Sequence, residues 1–208
     1  MSLKWLYILI ISLIIISNPV FAKNKITLLP DSSSITVQGT SSLHDWEMHV
    51  KLRSQSIEYK TPSNSIEELK DIQININASD LKGSNNIMEG FAHNALKLKE
   101  YPFITFYLTQ VEIRESESFS FSAIATGQLE IAGSKRTVRL PLSGKILSET
   151  KFNLSGKLDL RMSDFGVKAP KALFGAITTH DEISVIYSLN FSSKLNFSKD
   201  MLSSKLAP

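Results

Sequence analysis

Four histidines and their acidic neighbours are the side chains best suited to chemistry in this chain. His44 precedes Asp45, and His180 precedes Asp181 and Glu182. A general base needs an orienting acid, and a metal needs several ligands converging on one point. Sequence neighbours in a strand point to opposite faces, so neither doublet makes a working pair by itself. His49, between Met48 and Val50, falls on the wet side of an alternating stretch, and His93 on the exposed side of a helical one. An enzyme built on His44 or His180 would need a further acid or nucleophile brought from elsewhere in the chain. No HExxH, GxSxG, phosphate loop, dinucleotide fingerprint or calcium loop occurs. With no Cys at all, disulfide scaffolds, thiolate metal sites, a cysteine nucleophile and a lipoprotein anchor are excluded. The residues predict no catalytic group, no metal and no cofactor.

The length and composition suit one ordinary domain, or two small ones. Of 208 residues, 42% are hydrophobic and 21% charged, enough apolar mass to bury a core. The net charge of +3 comes from Lys and Arg spread along the whole chain, which argues against a nucleic-acid partner. Residues 1–22 read as a secretory signal peptide: Lys4, an apolar stretch over 6–16 interrupted only by Ser12, Pro19, and then Val20-Phe21-Ala22. That stretch is about half of the roughly 20 residues a membrane helix needs. Cleavage after Ala22 is expected, giving a periplasmic or secreted protein with no membrane span after processing. The domain is expected over 23–197, followed by a polar tail over 198–208.

Most of the remaining chain alternates with period two. Ile72, Ile74, Ile76 and Ala78 share one face. So do Phe119, Phe121, Ala123 and Ala125, then Phe152 through Met162 at every second residue, then Ile183, Val185, Tyr187, Leu189 and Phe191. Such alternation predicts antiparallel strands with one apolar and one wet face. Strands of 8–12 residues in a chain of this size suit a closed barrel, which leaves no edges. Gly133-Ser134 reads as a tight hairpin turn, and 115–118 and 148–151 as short connections. One stretch, 86–97, switches to helical spacing with Ile87, Phe91, Ala95 and Leu98, opened by Asn86 with Glu89 three residues on and stopped before Pro102. It is expected to cover one barrel end with Phe91 inward. A second aperiodic stretch, 163–182, is either a gate or a fixed cap.

Aromatic and aliphatic side chains are therefore the richer signal. The inward candidates are Trp46, Phe91, Ile104, Phe106, Leu108, Phe119, Phe121, Ala125, Leu129, Leu158, Leu160 and Phe165. Small residues lie among them: Ala123, Ala125, Gly127, Gly144 and Gly156. They would leave an apolar channel unless neighbours fill it, so a solid core and a ligand cavity both remain open from the residues alone.

Three segments resemble the YceI-like family of secreted bacterial lipid- or polyisoprenoid-binding proteins. They are LKEYPFITF (98–106), GQLEIAGSKRTVRLPLSG (127–144), and LRMSDFGVKAP through DEISVIYSLNF (160–191). The likeness spans roughly 33–192. Two regions depart from the family pattern: GSNNIMEGFAHNALKLKEY replaces an Arg-Asp pair and a Leu-Arg-Ser stretch, and GTSSLHDWEMHV differs in the early strands. The resemblance implies an all-β, extended, lipocalin-like antiparallel barrel of about eight strands with one short inserted helix. It implies a lumen holding an isoprenoid, quinone-like or other amphiphilic lipid, and binding rather than catalysis. The alternative is a filled barrel serving as a structural or stress-related interaction module. Family barrels can pair through their outer faces, but no exposed apolar stripe decides for or against a homodimer.

Overall fold

The computed structural model describes residues 24–59, 66, 69–117 and 119–193. The expected signal peptide and the polar tail lie outside the described residues. The strands are β1 (Asn24–Leu28), β2 (Ser34–Ser41), β3 (Asp45–Val50), β4 (Ser56–Tyr59), β5 (Ile72–Asn77), β6 (Leu81–Lys82), β7 (Phe103–Glu117), β8 (Ser120–Ile131), β9 (Ser134–Ser148), β10 (Lys151–Arg161), β11 (Lys171–Ala172) and β12 (Ile177–Ser193). One helix, α1 (Asn86–Ala95), stands between β6 and β7.

Nine strands follow one another around the wall in the order β5-β7-β8-β9-β10-β12-β2-β3-β6. The result is a near-closed antiparallel barrel. Strand β12 is long enough to serve two neighbours: its first half pairs with β2 and its last residues pair with β1, which in turn pairs with β4. The seam between β5 and β6 has no ladder. There, Lys51 N–H donates to Asp80 O at 2.8 Å, and Arg53 donates to both Asp80 carboxylate oxygens at 2.8 and 2.7 Å. Asp80 is almost fully buried, and the Arg53 guanidinium holds its carboxyl below the usual aspartate range.

Strand β7 explains how a barrel with such long strands curves. Its inward face reads Ile104, Phe106 and Leu108, then Val111 and Ile113, so the alternation changes parity midway. Register shifts against β8 between Leu108 and Gln110, and again between Ile113 and Glu115, mark two bulges. Each adds a residue on one strand and bends it.

Several local details differ from the sequence reading. The β8–β9 hairpin turns on Ala132-Gly133, one residue earlier than expected, with Ile131 opposite Ser134 and both turn residues at positive φ (49° and 80°). Two central residues of positive φ are the type I′ pattern that matches strand twist. The helix is capped by Asn85, not Asn86: its side chain accepts from Met88 N–H at 2.9 Å. Glu89 does not reach back to the cap but pairs with Lys82 at 3.1 Å. The helix also ends before Pro102 has any say. Lys97 takes φ 52°, and Leu98 N–H donates to His93 O at 3.0 Å, the six-to-one bond of a Schellman ending. His93 is half-buried rather than exposed, because its Nε2 bonds Leu81 O at 3.1 Å. The connection expected over 163–182 is shorter, since β12 begins at Ile177.

Candidate ligand-binding site

The barrel interior holds a cavity of about 620 Å³. Its floor is a buried cluster at the end where β7 meets β8: Phe121, Ala123, Phe152, Phe191 and their neighbours. Phe152 and Phe191 stack there with ring centroids 5.2 Å apart. Around the cavity many inward side chains keep accessible surface, although others such as Met48, Leu108 and Leu129 are buried. Ile74, Phe106, Leu140, Leu142, Leu154, Leu158, Val185 and Leu189 all line the cavity, yet every one is only partly buried. A side chain that faces into a barrel and still keeps accessible surface has empty space beside it. In a filled core these same positions would be sealed.

The inward glycines do not make this space. A Cβ built on Gly144 would fall inside the ring of Phe121, its partner directly across the ladder. The same holds for Gly39 under Trp46, its cross-strand partner, while a Cβ on Gly156 would meet Pro141 O and the hydroxyl end of Tyr187, again a cross-strand partner. Gly127 lies under the ring of Phe106, two residues along the strand from its own partner Leu108, and against Tyr107 O. Each glycine is a seat for an aromatic ring, which presses flat against the wall instead of standing across the lumen. The expectation that glycines open a channel is thus corrected: aromatic side chains take up the room they leave, and the channel survives because those rings lie flat. Tyr187 is further pinned by its hydroxyl, which donates to Pro141 O at 2.6 Å, and burial pushes its pKa up to about 12.

Ten of the twelve sequence-proposed residues line the cavity: Trp46, Phe91, Ile104, Phe106, Leu108, Ala125, Leu129, Leu158, Leu160 and Phe165. Phe121 lies beneath it as part of the floor. Phe119 is placed elsewhere altogether. By parity with Phe121 it should face inward, but it sits in the β7–β8 turn at φ 69° and is 56% exposed at the closed end. The turn breaks the alternation there, and strand parity cannot be extended through it. Phe91 lines the mouth and is 39% exposed, so α1 rims the opening more than it plugs it. Sequence reasoning passed over Val37, Met48, Val50, Ile76 and Ala172 as lining residues. Val37, Met48, Val50 and Ile76 were readable as alternating apolar positions, whereas Ala172 lies in an aperiodic connection.

The mouth is built from three segments: the β2–β3 turn, α1, and the connection from β10 to β12. The first part of that connection is a packed cap. Met162–Phe165 forms a 3-10 turn, Gly166 at φ 66° redirects the chain, and Phe165 and Val167 are buried against Leu129 and Ala132. Its second part is a small hairpin of β11 against the start of β12. Polar groups gather at this end of the cavity. His44 Nδ1 bonds Asp45 O at 2.6 Å, while His180 Nδ1 bonds Thr40 Oγ1 at 2.7 Å. Asp181 accepts from Ser163 N–H at 2.8 Å, and Arg161 pairs with Glu182 at 3.3 Å. His180 and its acidic neighbours lie where β12 shifts register against β2, and each is bonded to a different partner. Among the described residues no cluster of three or more His, Asp or Glu could hold a metal, and no helix is long and apolar enough to cross a membrane.

Fold and site together define a near-closed antiparallel barrel with an apolar, one-ended lumen of small-molecule size. The chain belongs to the YceI-like family, whose domain model matches residues 27–191. No curated protein matches its sequence. Among solved structures it is similar to Burkholderia cenocepacia BcnA, at 16% identity and TM-score 0.60 over 78% of this chain and 98% of that one. It is also similar to a polyisoprenoid binding domain from Saccharophagus degradans implicated in plant cell wall breakdown, at 12% identity and TM-score 0.63, covering 81% and 98%. A Campylobacter jejuni YCEI protein matches at 19% identity and TM-score 0.52, covering 70% and 83%. At these identities the structural likeness establishes the fold.

Proposed function

We propose that the protein holds the chain of an isoprenoid, a quinone-like lipid or a similar amphiphile lengthwise in its lumen, as a carrier or buffer outside the inner membrane, and carries out no reaction on it. The observation that carries this reading is the ring of inward yet accessible aliphatic side chains around a cavity of about 620 Å³. It favours a bound chain over a filled barrel, since empty apolar volume costs packing energy unless something occupies it. At roughly 30 Å³ for a water- or methylene-sized group, the cavity takes about 20 such groups, or about four isoprene units. Ile104, Phe106, Leu108, Ala125, Leu129, Leu158 and Leu160 would contact the chain along the wall, and Trp46, Phe91 and Phe165 near the mouth. The polar end of the amphiphile would lie among His44, Ser84, Asn85 and Thr179. Family membership and the S. degradans neighbour support the lipid class.

Placement outside the inner membrane rests on the sequence over 1–22. N-terminal sequencing of protein from the soluble periplasmic or secreted fraction should begin at Lys23, and a Met1 start on membrane-bound material would overturn it. The ligand itself is tested by extracting protein purified from its own cells with organic solvent and analysing the extract by mass spectrometry. A stoichiometric prenyl or other single-chain lipid is expected. Recovery of protein with no lipid, which also fails to take one up, would leave the filled barrel.

A further inference from the structure

Tyr101, Phe103, Tyr107, Phe119, Leu147 and Ile186 are exposed elsewhere on the barrel, but four large exposed apolar side chains surround its opening. Leu43 stands at the tip of the β2–β3 turn and is 64% exposed. Ile87, 73% exposed, and Phe91 project from α1. Phe174 sits at the tip of the β11–β12 hairpin and is fully exposed. The β2–β3 turn and that hairpin are tied together by Ser42 N–H donating to Thr178 O at 2.9 Å, and by Thr178 N–H donating to Ser42 Oγ at 3.1 Å. Three segments remote in sequence therefore bring four large apolar side chains to one end of the molecule. That end is the open one, since Ile87 and Phe91 line the cavity themselves.

Phe174 is the most informative of the four. Its backbone is left-handed, with φ 55°, which is an outlier for a bulky residue. An exposed aromatic in a conformation that glycine would adopt without strain carries two unfavourable features at once, and such features concentrate at functional sites. Gly175 follows it, so the turn already had a residue suited to positive φ.

We infer that the open end of the barrel docks on the surface of a lipid bilayer, with Leu43, Ile87, Phe91 and Phe174 entering the boundary between headgroups and acyl chains. The inference rests on the lumen reading for its purpose and on the rim for its geometry. A bilayer fits this rim better than a protein partner does. The four side chains are separate prongs around a hole, and a fluid apolar medium can receive prongs that a rigid partner would have to match one by one. Aromatic and aliphatic side chains with flanking basic residues are what the membrane interface selects. Lys168 and Lys171 are exposed on the same connection. The apolar cavity opens through the ring, so docking would join the lumen to the acyl region and give a lipid chain a path that avoids water.

The test is co-flotation with vesicles of phosphatidylethanolamine and phosphatidylglycerol, comparing wild type with two double variants. Leu43→Asp with Phe174→Asp removes two prongs that do not line the cavity. Phe119→Asp with Leu147→Asp removes two exposed apolar residues at the closed end, one in the β7–β8 turn and one near the end of β9. Wild type and the closed-end variant should float. The rim variant should lose at least tenfold in vesicle partitioning while taking up a prenyl alcohol from solution as wild type does. No flotation of wild type, equal flotation of all three proteins, or loss in the closed-end variant would each overturn the docking. So would a wild-type dimer in sedimentation that the rim variant abolishes, since the rim would then be buried against a second copy. Uptake of prenyl alcohol in any of these cases leaves the lumen reading standing.

Discussion

Replacing Gly144 with Ala sets two general expectations against each other. In an extended segment, Gly→Ala usually stabilises by about 0.5–1 kcal/mol, because the unfolded chain loses freedom. Here the new methyl would occupy space already held by the ring of Phe121. Phe121 is only 5% exposed, on the cavity floor, and has nowhere to retreat without disturbing the cluster with Phe152 and Phe191. Forcing an extra group into a packed site costs about 1–3 kcal/mol, which outweighs the entropic gain. The net expectation is a loss of about 1–2 kcal/mol, or a Tm lowered by about 2–8 °C for a domain of this size. Urea melts should show a lower midpoint with an unchanged slope. Gly90→Ala is the control. A Cβ on that helical glycine meets nothing within 4 Å, so the same chemical change should stabilise there by about 0.5–1 kcal/mol. If Gly144→Ala proves as stable as wild type or more so, the picture of glycines as seats for aromatic rings is wrong, and with it the explanation of how the lumen stays open.

Three further expectations concern the lumen, the seam and the pinned tyrosine. Val185→Trp adds about seven heavy atoms to the middle of the wall and so takes up part of the lumen. It should weaken binding of a 20-carbon prenyl alcohol more than tenfold while sparing a ten-carbon one, as read by competition titration. Asp80→Asn should destabilise at neutral pH. Because Arg53 lowers the folded pKa of Asp80, the wild-type advantage is full above the ordinary aspartate value of about 3.9 and is lost as pH falls through the lower folded value. The gap in Tm between the two proteins should therefore hold from pH 7 to 5 and close in stronger acid. Tyr187 has its pKa raised to about 12, so its contribution is intact below about pH 10 and is lost at about 1.4 kcal/mol per pH unit as pH rises from there to the folded value. Alkaline denaturation midpoints should shift upward in Tyr187→Phe if that variant folds as wild type does.

The barrel was legible because period-two alternation survives over most strands, and the helix because three spacings of three and four interrupt it. What escaped was decided by single residues whose backbone leaves the repeating pattern. Phe119 shares parity with Phe121 in the sequence, and only its φ of 69° turns it outward. The two bulges of β7 invert parity without any Gly or Pro to announce them. The cap fell on Asn85 and not Asn86 because either asparagine fits the pattern, and only the bond to Met88 N–H distinguishes them. The glycines were recognised as inward and small, but their meaning was reversed. Gly144 and Gly156 have aromatic cross-strand partners and Gly127 an aromatic diagonal neighbour, and register is a property of pairs that a list of inward residues does not contain.

The central claim is a hollow lumen that takes an apolar chain end-on, and chain length is the variable that reads it. Delipidated protein should be titrated with prenyl alcohols from one to eight isoprene units, with the fluorescence of Trp46 at the mouth as one signal. Each buried methylene-sized group contributes about 0.8 kcal/mol before ordering costs. Affinity is expected to rise steeply with each unit until about four fill the cavity, then level off, with little dependence on salt. Affinity that is flat across lengths, or no binding by folded protein, would contradict the account.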